Sequence, residues 1–152
     1  MVQMTSSLYD MVGGSEGLLR LAHAWHRRCL ADPIANHPFS HPGLHPQHSE
    51  RLAAYWAEAI GGPPAYTASM GDHSHVMRMH AGNGVHPELD ERCIELFALA
   101  MDDAGIPAAA RGPLGDYFRR VTELMSQFPR SASDVPKELP LPRWTLNGPV
   151  PE

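Results

Sequence analysis

Apolar side chains recur at helical spacing in four long segments of the chain, and glycine or proline follows each of them closely. In the first segment, the residues that fall on one helix face are Leu19, Ala22, His26 and Cys29. No segment shows the alternation of apolar and polar residues that indicates a β-strand. The pattern therefore predicts an all-α fold. Its main helices are expected over residues 16–30, 46–60, 87–104 and 113–128.

A shorter helix is predicted over residues 73–80, because glycines at 82 and 84 break the segment that follows. His80 would then lie at the end of a helix beside an irregular loop. A histidine that points inward from such a place can offer a neutral imidazole nitrogen to a metal ion. His26 and His48 also fall on apolar stripes of their helices, where a histidine is more often a core residue with its hydrogen bonds satisfied.

Length and the distribution of proline indicate one domain followed by a tail. A chain of 152 residues with 43% hydrophobic side chains can bury a real core. From Pro129 onward, frequent prolines preclude a packed helix. We therefore expect a helical domain over residues 1–129 and a proline-rich tail over residues 130–152. The tail would extend along the surface, held by Leu139, Leu141 and Trp144.

Charge and cysteine content limit the class of partner. The net charge of −5 provides no basic surface for a nucleic acid or an acidic membrane. No apolar run approaches the roughly 20 residues that cross a bilayer, and no secretory signal begins the chain. Cys29 and Cys93 do not make a disulfide framework, so reduced thiols and a cytoplasmic location are expected. A monomer and a homodimer are both compatible with the sequence.

Three short motifs, taken together, resemble one family. They are Tyr9-Asp10-Met11-Val12-Gly13-Gly14, Gly61-Gly62-Pro63-Pro64-Ala65-Tyr66 and Met77-Arg78-Met79-His80. In this order and at nearly the same spacing, they are similar to the motifs of the group II truncated hemoglobins. The resemblance covers roughly residues 7–128. It implies a shortened globin fold, a two-over-two helical sandwich that encloses one heme, iron protoporphyrin IX.

The resemblance also implies roles for residues at matching positions. His80 matches the proximal iron ligand, and His48 matches the distal-helix position that faces a bound gas. Phe39 matches an aromatic residue that packs against the porphyrin, and Arg51 matches a basic position that can pair with a heme propionate. The other matched positions that would surround the cofactor are Leu52, Tyr55, Trp56, Met77, Arg78 and Cys93.

Three positions depart from the pattern of this group. His26 replaces the usual distal tyrosine, Cys93 replaces a tryptophan, and Met79 replaces the arginine before the proximal histidine. The usual cage of tyrosine and indole donors around dioxygen is therefore absent. In its place, His26 and His48 would face each other from two helices.

Two histidines on the open side of the heme allow three functions. They can hold dioxygen or another diatomic ligand through N–H hydrogen bonds. We expect this function ahead of the other two, because it requires the fewest features of the pocket. They can divide the acid–base work of peroxide cleavage or dioxygen activation, as in a heme-dependent oxidoreductase of the peroxidase or oxygenase type. The smaller side chain of Cys93 favours this second function, because it leaves room for a small organic substrate. Finally, His26 or His48 could coordinate the iron itself, as in electron transfer or sensing.

Two further interpretations involve no heme. A zinc or copper site could draw on His37, His41, His45, His48, His73 and His75. Pro42 and Gly43 argue against the helix that the spacing of His41 and His45 would require, and no paired-cysteine zinc pattern exists. For His37, His41 and His45 we expect a solvated loop. The other interpretation is a helical interaction domain whose apolar core holds no cofactor.

Overall fold

The computed structural model describes residues 7–39 and 46–150. These ranges contain eight α-helices: α1 Leu8–Met11, α2 Gly14–Leu30, α3 Asn36–Phe39, α4 His48–Ala59, α5 Ala65–Ser69, α6 His73–His80, α7 Pro87–Asp103 and α8 Ala108–Met125. A single 3-10 turn at Ala132–Asp134 and a short antiparallel hairpin follow, with strands β1 Trp144–Thr145 and β2 Gly148–Pro149. The predicted all-α fold is confirmed, and the hairpin is a local exception to it.

Four aromatic rings, one from each long helix, join the layers of the fold. Helix α2 packs on both α4 and α7, and α7 packs on α8. Phe97 of α7 stacks on Phe118 of α8 with ring centroids 4.0 Å apart. Trp25 of α2 meets Phe118 edge-on at 5.3 Å, and Trp56 of α4 meets Phe97 edge-on at 5.4 Å. Since each such pair contributes about 0.5–1.5 kcal/mol beyond the burial of its area, this cluster is the centre of the core.

Helix α8 begins earlier than its sequence pattern predicts. The prediction placed Pro113 in the first turn, whereas the helix begins at Ala108 and carries Pro113 in its interior. The three alanines at 108–110 are strong helix formers, and they extend the helix by a turn and a half before the proline. At its other end α8 ends at Met125, three residues before the predicted Phe128. The predicted loop at 32–46 and the connector at 66–72 also contain the short helices α3 and α5.

Two of the motifs quoted above lie in contact. The backbone N–H of Tyr9 donates to the carbonyl of Ile60 at 3.1 Å. A Cβ at Gly62 would come within 2.6 Å of the Tyr9 ring, so only glycine fits beneath that ring. Gly61, with a φ of +109°, adopts a left-handed conformation that turns the chain out of α4. The first two motifs therefore form one junction between α1 and the end of α4.

The residues after α8 pack back on the helical body. The Ser74 hydroxyl of α6 donates to the carbonyl of Pro136 at 2.8 Å and accepts from the N–H of Leu139 at 2.9 Å. The hydrophobic residues of this segment that pack against the core include Val135, Leu139, Leu141 and Trp144. Residues 132–139 thus pack on α6, and strand β2 packs on α8. Within the described ranges, no helix is long and apolar enough to cross a membrane.

Glu58, a buried carboxylate of α4, ties α5 to the same body. It accepts from the backbone N–H of Thr67 at 2.9 Å and from the Thr67 hydroxyl at 2.6 Å. The Arg143 guanidinium of the C-terminal segment approaches it at 3.9 Å. The carboxylate therefore has partners on two other parts of the chain, as a buried charge requires.

Candidate functional site

Local capping and backbone conformation define where α6 begins and ends. The Asp72 carboxylate accepts from the N–H of His75 at 2.7 Å and caps the first turn. The helix ends at His80, as the sequence predicts. Gly82, with a φ of +80°, then redirects the chain, and its N–H donates to the carbonyl of Phe128 at 2.9 Å. The end of α6 is thus held against the end of α8, and His80 is held with it.

The His80 ring has a defined tautomer. Its Nδ1 lies 2.8 Å from the carbonyl oxygen of Val76, which can only accept, so Nδ1 carries the proton and donates. The lone pair of the neutral ring is then on Nε2. The side chain is accessible from outside, yet loss of hydration around the ring lowers its pKa, with a smaller contribution from His86. A neutral imidazole whose second nitrogen is oriented by a backbone carbonyl is a typical metal ligand.

His26 and His48 face each other across two packed helices. His26 lies on α2 and His48 is the first residue of α4, and their ring centroids are 5.7 Å apart with a 55° angle between the planes. Both side chains are half-buried, and both Nδ1 atoms are buried. Burial, and then the charge of His23, lowers the pKa of His26. At neutral pH the His26 ring is therefore neutral and can both donate and accept a hydrogen bond.

Two of the predicted cofactor residues lie in the core. Trp56 belongs to the aromatic cluster, and Tyr55 is buried beside it on α4. The Tyr55 hydroxyl lies 2.8 Å from Nδ1 of His73, and its ring meets Tyr66 edge-on at 5.3 Å. Burial raises the pKa of Tyr55 and lowers the pKa of His73. Sequence analysis considered His73 only as a metal ligand, since no local pattern connects it to a residue 18 positions earlier.

The remaining predicted cofactor residues are spread over the surface and the interior. Met77 is fully buried, whereas Arg78 is exposed and pairs with Asp72 at 4.0 Å. Arg51 and Leu52 are half-buried on α4. Phe39 is the last residue of α3, and the structure describes its backbone but not its side chain.

Cys93 lies on α7 against α2. The indole N–H of Trp25 donates to the carbonyl of Cys93 at 3.0 Å. The neighbouring Cys93 thiol and burial both raise the pKa of the Cys29 thiol, a proximity that sequence analysis did not predict. Cys29 and Trp25 are one turn apart on α2, so a shared helix face was the only signal available in the sequence.

The alternative zinc or copper site is not supported by any cluster of metal-ligating side chains in the part of the chain that the structure describes. Among residues 7–39 and 46–150, no group of three or more His, Cys, Asp or Glu side chains could hold a metal ion. His73 is engaged with Tyr55, and His37 and His75 are exposed. His41 and His45 lie outside the described residues.

Residues 7–127 match the family model of the bacterial-like globins. The chain belongs to the bacterial-like globin family. Globins are heme proteins, so membership implies a heme cofactor. The donor set at the end of α6 fits this cofactor, because His80 presents a neutral, carbonyl-oriented imidazole. No protein of curated function matches the chain.

Solved structures agree with this assignment. The chain is similar to the hemoglobin of the thermophilic phototrophic bacterium Chloroflexus aurantiacus (26% identity, TM-score 0.69, 80% of this chain and 98% of the other). It is also similar to a thermostable hemoglobin from the actinobacterium Thermobifida fusca (28% identity, TM-score 0.66, 82% of this chain and 100% of the other). A group II 2-on-2 hemoglobin from Agrobacterium tumefaciens shares its fold (23% identity, TM-score 0.70, 84% of this chain and 99% of the other). The predicted two-over-two globin fold is confirmed.

Proposed function

We propose that this globin binds iron protoporphyrin IX through Nε2 of His80 and binds dioxygen or another diatomic ligand on the side that His26 and His48 occupy. The observation that carries the proposal is the hydrogen bond from Nδ1 of His80 to the Val76 carbonyl. It sets the tautomer that a metal ligand needs, on the helix that carries the motif Met77-Arg78-Met79-His80. The similar proteins from Chloroflexus aurantiacus (26% identity) and Thermobifida fusca (28%) are hemoglobins by name, which supports the same function.

Other side chains of the proposed site would hold the cofactor in place. Arg51 would pair with a propionate, and Phe39, Leu52 and Met77 would contact the porphyrin. Heme supplies an iron atom that binds diatomic ligands and exchanges electrons. The protein positions the ring, limits access of water and places hydrogen-bond donors beside the ligand. His26 and His48 would each offer a ring N–H to a polar ligand.

The first experiment tests the iron ligand. A heme globin absorbs strongly near roughly 400 nm, as iron porphyrins do. We expect the purified wild-type protein to show this band, His80→Ala to lose most of it, and His75→Ala on the same helix to keep it. Circular dichroism checks that each variant is folded. A colourless wild-type protein, or an unchanged spectrum in folded His80→Ala, would refute the proposal.

The second experiment tests the two histidines on the ligand side. Loss of one hydrogen bond worth about 1 kcal/mol should speed dioxygen dissociation roughly five-fold in His26→Ala or His48→Ala. His75→Ala, on an exposed side chain of α6, serves as the control. If neither histidine variant alters the dissociation rate of any diatomic ligand or the rate of any reaction, the assignment of this side is wrong.

A second candidate function is peroxide-dependent oxidation of a small organic substrate. It is favoured by the distance of 5.7 Å between the His26 and His48 rings, which allows one imidazole to take a proton while the other gives one. Such acid–base catalysis is typically worth about 10²–10⁴-fold. If His26→Ala abolished peroxide-driven turnover and left gas affinity unchanged, the protein would be an enzyme. Visible spectra of the reduced protein would reveal whether a histidine occupies the sixth iron position instead.

A further inference from the structure

Tyr55 of α4 and His73 of α6 meet through their side chains in the interior. The phenolic oxygen lies 2.8 Å from Nδ1 of His73, and the two rings are nearly parallel, with an angle of 15° between their planes. Tyr55 is 2% exposed and His73 is 5% exposed. The contact therefore places a phenol and an imidazole within reach of a direct proton transfer, away from bulk water.

The direction of this hydrogen bond follows from the surroundings of the hydroxyl. Among the residues that the structure describes, Nδ1 of His73 is the only hydrogen-bond partner of the Tyr55 oxygen. A buried hydroxyl proton is satisfied only if it points to an acceptor, so Tyr55 donates and Nδ1 of His73 carries the lone pair. Burial lowers the pKa of His73 and raises the pKa of Tyr55, so both rings are neutral before any reaction.

Tyr117 of α8 provides a comparison within the same protein. It is 1% exposed, and burial raises its pKa as well. Its hydroxyl, however, has no hydrogen-bond partner in the described part of the chain. Loss of an electron makes a phenol a far stronger acid, so a buried tyrosine is oxidised readily only if a base beside it accepts the proton. Tyr55 has such a base, and Tyr117 does not.

Tyr55 and His73 are also aligned with the histidines of the proposed heme site. Tyr55 follows His48 by seven residues on α4, and His80 follows His73 by seven residues on α6. Seven residues make two helical turns, so the members of each pair share one face of their helix, about 10 Å apart along its axis. Electrons move between redox groups of proteins over distances of this order. The contact of Tyr55 with His73 thus lies within electron-transfer range of that site.

We propose that Tyr55 and His73 form a redox site, at which Tyr55 gives one electron to a strong one-electron oxidant while His73 takes the phenolic proton. The oxidant is of the class that a hydroperoxide generates at a heme, so for its source the proposal rests on the heme binding proposed above. The O–H bond of Tyr55 breaks, the oxidant gains one electron, and an N–H bond forms at Nδ1 of His73. The products are a neutral phenoxyl radical and an imidazolium ion. A reductant such as ascorbate returns one electron, and His73 then returns the proton.

The first test requires no heme. A light flash generates tris(bipyridine)ruthenium(III) in a solution of the full-length protein, and electron paramagnetic resonance of the frozen sample detects radicals. Every sample carries Tyr9→Phe, because the Tyr9 hydroxyl lies near the surface and reacts directly. We expect a tyrosyl signal that ring-deuterated tyrosine narrows, that Tyr55→Phe loses and that Tyr117→Phe keeps. A protein without a tyrosyl signal, or an undiminished signal in folded Tyr55→Phe, overturns the proposal.

A substitution of His73 separates the hydrogen bond from the proton transfer. In His73→Gln the amide oxygen can accept from the Tyr55 hydroxyl, but it cannot hold the proton. We therefore expect the radical to form roughly 10²-fold more slowly after the flash, the lower end of what a positioned base contributes. His75→Gln, an exposed change on the same helix, should leave the rate unchanged. Circular dichroism checks the fold, and an equal rate in folded His73→Gln refutes the role of His73.

Hydrogen peroxide then tests the source of the oxidant. Protein with the heme band near roughly 400 nm should give the same tyrosyl signal with hydrogen peroxide, and folded His80→Ala should not. Absence of the band in the wild type would refute heme binding, and the ruthenium experiment would still decide the role of Tyr55 and His73. A heme-loaded protein that gives the signal with ruthenium and none with peroxide would refute heme as the source.

Discussion

His73 and Tyr55 form a hydrogen-bonded, titratable pair in the core between α6 and α4. The hydroxyl and Nδ1 are 2.8 Å apart, and the two rings stack with centroids 6.2 Å apart. Burial penalises both charged forms, so it lowers the pKa of His73 and raises that of Tyr55. The pair is therefore neutral in the folded protein over the physiological range. A buried polar contact of this kind couples the helix that carries His80 to the helix that carries His48.

This pair predicts a pH dependence of stability. Since the pKa of His73 is lower in the folded protein than its usual value of 6.5, the unfolded chain binds more protons below that pH. Stability from the neutral ring is present above pH 6.5 and is lost as the pH falls through the folded pKa. We expect the free energy of unfolding to fall below pH 6.5, with one histidine contributing at most about 1.4 kcal/mol per pH unit.

Urea unfolding at a series of pH values measures this slope. His73→Gln should reduce it, and His75→Gln, an exposed change on the same helix, should leave it as in the wild type. Equal slopes in His73→Gln and the wild type would contradict the prediction.

At the scale of elements, one glycine permits the sharp connection between α1 and α2. A Cβ at Gly17 would overlap the carbonyl oxygen of Val12, which is a backbone atom and cannot rotate away. Gly112 is also in a helix, α8, and a Cβ there would meet nothing within 4 Å. The two glycines therefore have opposite roles, since one is required by a close approach and the other only weakens its helix.

Alanine at these two glycines should shift stability in opposite directions. Gly17→Ala forces α1 and α2 apart, and overpacking of this kind typically costs about 1–3 kcal/mol. Gly112→Ala lowers the entropy of the unfolded chain without strain, and should stabilise by about 0.4–1 kcal/mol. Thermal unfolding followed by circular dichroism gives both values. A stabilised Gly17→Ala protein would show that the junction is looser than the structure indicates.

At the scale of the whole molecule, the segment after α8 is part of the packed structure. Ser74 binds it with two hydrogen bonds, Arg143 approaches the buried Glu58, and Val135 is itself buried. The two hydrogen bonds of Ser74 hold α6 from the side of the C-terminal segment. Stability of the helix that carries His80 should therefore depend on residues far beyond it in the chain.

Ser74→Ala removes both hydrogen bonds and leaves the N–H of Leu139 without its partner. We expect a loss of about 1–3 kcal/mol and faster trypsin cleavage after Lys137, which is exposed within the same segment. Ser69→Ala is the matched control, since its hydroxyl donates to the Ala65 carbonyl of its own short helix. Equal cleavage rates in Ser74→Ala and Ser69→Ala would show that the segment is held by other contacts.

Local information in the sequence was sufficient for several parts of this protein. The bounds of α6, the four long helices and the position of His80 at a helix end follow from periodicity, capping residues and glycines, which act within a few residues. Three short motifs were sufficient for the two-over-two globin fold. The start of α8 was predicted wrongly, because the preference of proline for the first turn of a helix was given more weight than the helix propensity of the three alanines before Pro113.

Only tertiary packing decided which side chains meet. The contact of His73 with Tyr55 and that of Trp25 with Cys93 join helices that are separated in the chain, and the docking of the C-terminal segment on Ser74 does the same. No periodicity encodes such contacts, because each depends on the crossing of two helices and on the rotation of both about their axes. The sequence by itself thus determined the helices, the family and the candidate iron ligand. The three-dimensional packing determined the buried polar pair, the contact of Trp25 with Cys93 and the path of the C-terminal segment.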